Sequence, residues 1–253
     1  MVLAHGFGCD QSMWRHLVPA FENDFRLVLF DHVGHGGADV SSFDRTRYAT
    51  LDGYADDVLR ICEALAIQDA VFVGHSVSAM IGILTARKDA SRFSTLVLVG
   101  PSPRYVNDGA YIGGFTQEDI DGLLDFLDSN FLGWSSTMAP VIMGNTDRPA
   151  LSEELANSFC RTDPEIAKHF ARVTFLSDNR ADLASVQVPT LILQCSKDAI
   201  ASEAVGRYVQ AHIAGSTFVQ LRASGHCPHL SDPAETISAI QSFLAALGDS
   251  AAR

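Results

Sequence analysis

The segment Val71 to Ala79 reads VFVGHSVSA. An apolar run ends at Gly74, a serine follows two residues later, and a helix-compatible stretch begins at once. A serine on so sharp a strand-to-helix turn is lifted clear of the sheet, and the backbone N–H groups that follow it can stabilise a tetrahedral oxyanion. The spacing therefore predicts Ser76 as a nucleophile and the Val77 N–H as an oxyanion donor. The usual pattern is G-x-S-x-G; here it is Gly74-His75-Ser76-Val77-Ser78, with the next smallest residue in the last place. The bland alternative is a serine that caps the helix of a Rossmann-like unit.

A nucleophilic serine needs a base and an acid that orients the base, in the chain order serine, acid, histidine when it sits on this kind of turn. Both should lie just past the C-terminal ends of strands, where loops converge. Asp198 follows the run TLILQC by a short loop, and His226 follows TFVQL and comes directly after Gly225. Asp182 is the rival acid but precedes its strand. His229 is the rival base, and it is expected to border the pocket instead. His75 should serve as a structural hydrogen-bonding group. A second oxyanion donor is expected from the Phe7 N–H in His5-Gly6-Phe7-Gly8, against the alternative of a simple turn.

Asp31 with Gly34, Gly36 and Gly37 lacks dinucleotide-fingerprint spacing and reads as a structural turn. Pro228 between His226 and His229 argues against a helical metal pair. No cofactor and no metal are expected.

Strand-like runs at the opening VLAHG, 26–30, 70–73, 95–99, 190–195 and 217–221 alternate with helical patterns at 51–65, 77–87 and 203–212. Nearly continuous apolar strands joined by helices predict an α/β fold with a mostly parallel central sheet flanked by helices. From 102 to 182 only helical candidates occur. Ile120, Leu123, Leu124, Leu127 and Phe131 form one stripe, Asp163-Pro164 looks like an N-cap, and a shorter helix should start at Ser152. This stretch reads as a lid subdomain inserted between core segments 1–101 and 183–253. Asp232-Pro233-Ala234-Glu235 predicts a capping box for the last helix. The strands that usually precede an opening strand of this kind are expected to be missing.

The chain has 253 residues, 47% of them hydrophobic, and 18 Lys+Arg against 30 Asp+Glu give a net charge of -12. That charge disfavours nucleic acid and anionic membrane as partners. Five scattered cysteines without a CxxC pair fit free thiols in a reducing compartment, so a cytoplasmic location is expected. Phe7, Phe115, Phe126, Phe131, Trp134, Phe159 and Phe175 are spread over the first loop and the lid. They predict a narrow apolar pocket for a small hydrophobic ligand.

The runs HGFGCDQSMW, TLDGYADDV, VGHSVSAMIGIL, PSPRYVNDG, FCRTDPEIAKHFA and GHCPHLSDP together resemble the RsbQ-like α/β-hydrolases, relatives of the plant karrikin and strigolactone receptors. The resemblance spans nearly the whole chain. It implies an α/β-hydrolase fold, a catalytic set at Ser76, Asp198 and His226, and an oxyanion role for the Phe7 backbone. It also implies a part in activating the stress sigma factor B, with a phosphatase that carries a sensing domain as partner. Ser78 stands where that bacterial branch ordinarily has glycine and the plant receptors have serine. Two functions stay open: a working hydrolase of small esters or lactones, and a ligand-dependent interaction protein with slow hydrolysis.

Overall fold

The computed structural model describes residues 1–251, with side-chain detail to residue 248. Six parallel strands form one sheet in the order β2-β1-β3-β4-β5-β6. They are β1 (Val2–Ala4), β2 (Val28–Phe30), β3 (Ala70–His75), β4 (Phe93–Val99), β5 (Thr190–Lys197) and β6 (Thr217–Ser224). The core helices are the short α1 (Val18–Phe21), then α2 (Leu51–Ala64) and α3 (Val77–Lys88). Four lid helices follow β4: α4 (Gln117–Ser129), α5 (Phe131–Met143), α6 (Pro149–Arg161) and α7 (Pro164–Phe175). The chain then returns to the core with α8 (Glu203–His212), α9 (Pro228–Ser231) and α10 (Pro233–Ala251). This is the α/β-hydrolase architecture, with a helical lid inserted between β4 and β5.

Every residue of β3 is buried, and β4 is buried except at Ser94, as strands covered on both faces must be. Two apolar clusters lie on the two sides of the sheet. Leu3, Val71, Val73, Val97 and Val99 face the side that carries Phe21 of α1 and Ile240 of α10, while Val2, Phe72, Leu96 and Leu98 face α2 and α3. The alternation follows from successive strand residues pointing to opposite faces.

The lid differs from the sequence reading in two places. The stripe from Ile120 to Phe131 is two helices, because Asn130 ends α4 and its side chain accepts the Gly133 N–H to cap α5. The next helix begins at Pro149 in the first helical position rather than at Ser152, which lies buried inside it. Asp163 caps α7 as expected, accepting from the N–H groups of Glu165 and Ile166. The last capping box is half formed. Asp232 accepts the Glu235 N–H, but the Glu235 carboxylate accepts from the Arg222 and Ala223 N–H groups at the end of β6.

Phe72 supports the turn that carries Ser76. It is fully buried, its ring centroid is 4.8 Å from that of Phe93, and it fills the space left by Gly82 on α3. Phe72→Ala is expected to cost about 3–5 kcal/mol of stability, read as a lower denaturant midpoint at unchanged m-value.

Candidate active site

Ser76 occupies the turn between β3 and α3 with φ 55° and ψ -121°. A non-glycine residue is rarely found there, and such strain persists only where the surroundings impose it. They do so here. The Ser76 N–H donates to the Val99 carbonyl at 2.8 Å, and a Cβ on Gly74 would come within 2.5 Å of the Ser78 carbonyl oxygen. Strand and helix therefore approach as closely as a glycine allows, and the serine side chain is thrust out at the apex.

Asp198 and His226 arrive from the ends of β5 and β6. His226 Nδ1 lies 2.7 Å from Asp198 Oδ2, and His226 Nε2 lies 2.8 Å from Ser76 Oγ. The other Asp198 oxygen accepts the N–H groups of Ile200 and Ala201 at 2.8 and 3.0 Å. A carboxylate that only accepts requires the imidazole proton on Nδ1. The Nε2 lone pair then faces Ser76, whose hydroxyl donates to it. The His226 and Asp198 side chains are 4% and 1% exposed, so little water competes for these bonds. Asp182, the rival acid, pairs with Arg87 and takes no part in this chain. His229, the rival base, is not at the cavity. It is buried between Trp14 and His75, with burial pushing its pKa down to about 3. His75 donates Nε2–H to the His226 carbonyl at 2.8 Å, a structural bond that supports the His226 backbone.

The N–H groups of Phe7 and Val77 have no acceptor among the described residues. Val77 is the first residue of α3, where backbone donors have no partner within the helix. Phe7, Ser76 and His226 line the same cavity.

That cavity is about 30 Å³, space for water-sized guests and far below the several hundred Å³ of ligand pockets in general. Of the aromatic residues expected to line it, Phe159 and Phe175 do, together with Phe7. Trp134 stands behind them, its ring 5.8 Å from Phe7 and 5.3 Å from Phe159. Phe131 is buried in the core, and Phe115 and Phe126 pack half-buried against it, so these three do not form the wall. Tyr105 is a wall residue missed in the sequence. It is buried beside Ser76, and burial holds its phenol above the ordinary range. It lies on the irregular chain after β4, where no periodicity marks a facing.

Asp31 closes its glycine turn by accepting from Gly37 N–H and Gln11 N–H. Cys227 Sγ and one ring nitrogen each of His75 and His229 lie within 4.8 Å of one another. Burial holds the Cys227 thiol protonated. A metal ligand at this position would have to be the thiolate.

The lid is tied to both ends of the site. The Phe7 ring lies 5.8–6.1 Å from Trp134 on α5, Phe159 on α6, and Phe170 and Phe175 on α7. The His226 N–H donates to Ile142 on α5 at 2.8 Å. Gly225 makes that second contact possible, with φ 83° and room for no Cβ, which would stand 1.8 Å from the Met143 carbonyl oxygen. Gly225→Ala is expected to cost about 2–5 kcal/mol, from left-handed backbone strain plus overpacking. Thermal melts should register that loss, and hydrolytic activity should fall further than the melting shift alone explains.

A family model for the alpha/beta hydrolase family matches residues 1–239. A probable esterase of rice (Oryza sativa subsp. japonica) is 44% identical over 234 residues, 92% of this chain and 86% of its own. A strigolactone esterase of Arabidopsis thaliana is 41% identical over 236 residues, 93% of this chain and 88% of its own. Among solved structures, a hydrolase from Oleispira antarctica superposes with a TM-score of 0.93 at 41% identity, covering 96% of this chain and 89% of that one. With a parallel sheet, an inserted lid and relatives of this kind, the chain belongs to the alpha/beta-hydrolase family and is a homologue of the plant strigolactone and karrikin receptor esterases.

Proposed function

We propose that this hydrolase cleaves small hydrophobic esters or lactones through an acyl-enzyme on Ser76, with His226 as base and Asp198 as its orienting acid. The observation that carries the reading is the unbroken hydrogen-bond chain from Asp198 through His226 to Ser76, buried beneath an apolar lid. His226 Nε2 takes the serine proton as Oγ attacks the acyl carbon, and the imidazolium then protonates the leaving oxygen. The two unpaired N–H groups, of Phe7 and Val77, receive the oxyanion, each worth about 3 kcal/mol of transition-state stabilisation. A water activated by the same histidine releases the acid. Residues 102–182 act as the lid over a core of 1–101 and 183–253.

A second reading is favoured by the size of the cavity. At about 30 Å³ it admits no ester until the lid moves. Slow lid opening gives a ligand-dependent interaction protein with incidental hydrolysis, and Petunia hybrida proteins 41% and 40% identical to this chain are named karrikin insensitive 2 receptors. Glu118, Asp121, Asp125 and Glu153 lie exposed on the outer lid surface, where a protein partner would dock. A phosphatase partner and a role in sigma factor B activation follow from the RsbQ-like resemblance alone. A cytoplasmic site of action is supported by five free cysteines.

Hydrolysis of a series of p-nitrophenyl esters tests both readings. The enzyme reading expects steady turnover of roughly 1–10³ s⁻¹, best for short acyl chains; the receptor reading expects a single burst followed by near silence. Asp198→Asn should lower kcat by roughly 10⁴-fold through loss of the productive tautomer, and Asp182→Asn should leave it unchanged. Efficient cleavage of long-chain esters would contradict the small closed pocket.

A further inference from the structure

Three buried polar side chains outside the Asp198–His226–Ser76 set form a closed hydrogen-bonded ring beneath the first loop. His5 follows β1, His32 follows β2, and Ser78 lies in the first turn of α3; none is more than 2% exposed. The His32 backbone N–H donates to His5 Nε2 at 3.0 Å. That nitrogen must therefore carry a lone pair, which places the His5 proton on Nδ1, where it is donated to the Gly6 carbonyl at 2.8 Å. Ser78 Oγ lies 2.5 Å from the His5 carbonyl and 2.8 Å from His32 Nε2. A carbonyl can only accept, so the serine proton goes to His5 and His32 Nε2–H supplies the remaining bond. Every proton in the ring has one possible place. Burial keeps both imidazoles neutral, which this arrangement requires.

The ring clamps two successive peptide units. The His5 carbonyl is held by Ser78. The Gly6 carbonyl is held by the His5 ring and by the Cys9 N–H at 3.2 Å. In a planar trans peptide the N–H points opposite to the carbonyl of the same unit. Fixing the Gly6 carbonyl therefore fixes the direction of the Phe7 N–H, which finds no acceptor among the described residues. The loop also lies directly on the nucleophile, since a Cβ on Gly6 would stand 3.3 Å from Ser76 Cβ and 2.4 Å from His75 Nδ1.

We infer that Ser78 and His32 are positioning residues that act through His5 to aim the Phe7 N–H at the oxyanion formed on Ser76. The serine in place of the pattern's final glycine is then a functional part of the site. It joins the helix that carries the nucleophile to the loop that carries the second donor, so both oxyanion donors are referenced to one element. The inference rests on the proposed nucleophile at Ser76.

The test compares the wild type with Ser78→Ala and with Ser78→Gly, which restores G-x-S-x-G and frees the loop. Phenylboronic acid serves as the probe, because its adduct on a serine is tetrahedral and carries the oxygen that an oxyanion hole receives. Displaced geometry should lower kcat by roughly 10- to 100-fold, with KM within about twofold of the wild type and boronate affinity weakened in parallel with kcat. Either folded variant at wild-type kcat would overturn the inference. So would a loss of kcat with boronate affinity unchanged, which would mark the ring as structural support only. Ser76→Ala, assayed alongside, keeps the two readings apart: retained turnover in it would overturn the nucleophile itself.

Discussion

Ser76 is held at φ 55° by a strand and a helix that meet too closely for any side chain at Gly74. Everything else in the site is arranged around that constraint. The strained turn points the hydroxyl away from the sheet, starts α3 at Val77 with an unpaired N–H, and sets the height at which a base must arrive. β5 and β6 are long enough to deliver Asp198 and His226 to that height. The parallel pairing of β3 with β4, and of β4 with β5 and β6 beyond it, places all of these ends on one edge. Phe72 packs against both Gly74 and Gly82, so a core side chain braces the strand and the helix that hold the strained turn.

The lid participates in the site as well as covering it. It touches the donor loop through the Phe7 ring and the base loop through the bond from His226 N–H to Ile142. Ion pairs at the rim, Arg15 with Glu154 and Arg161 with Asp10, join α6 to the chain just after Phe7. The first pair is exposed on both sides and contributes little, while in the second the Asp10 side chain is largely buried. The aromatic contacts are dry, and each is worth about 0.5–1.5 kcal/mol beyond its buried area. Opening the lid far enough to admit a substrate must disturb some of these contacts. The same movement that admits the ligand therefore acts on the loops that carry the proposed base and the proposed oxyanion donor Phe7. Turnover and signalling by lid movement would draw on one set of interactions.

The parts of the site that were legible in the sequence are those encoded locally. VFVGHSVSA carries its own turn geometry, and Asp198 and His226, which the structure brings to Ser76, stand out because each follows an apolar strand by a few residues. The lid helices showed in their periodicity, but the facing of their aromatic residues did not. Phe159 reached the cavity while Phe126 and Phe131 turned to the core, an outcome decided by how helices pack on one another. His229 read as a pocket residue and is buried behind His75, because α9 turns the chain inward directly after the base. The ring of His5, His32 and Ser78 joins positions 27 and 46 residues apart, so only the assembled sheet brings it together.

Ser76 as the proposed nucleophile, strained by the fold and served by the other groups, is tested most directly by reacting the protein with a serine-directed fluorophosphonate and locating the adduct by peptide mass mapping. A single adduct on Ser76, absent when the protein is first denatured, is the expected result. Hydrolytic activity that survives with Ser76 unlabelled, or a stoichiometric adduct at any other residue, would contradict the account.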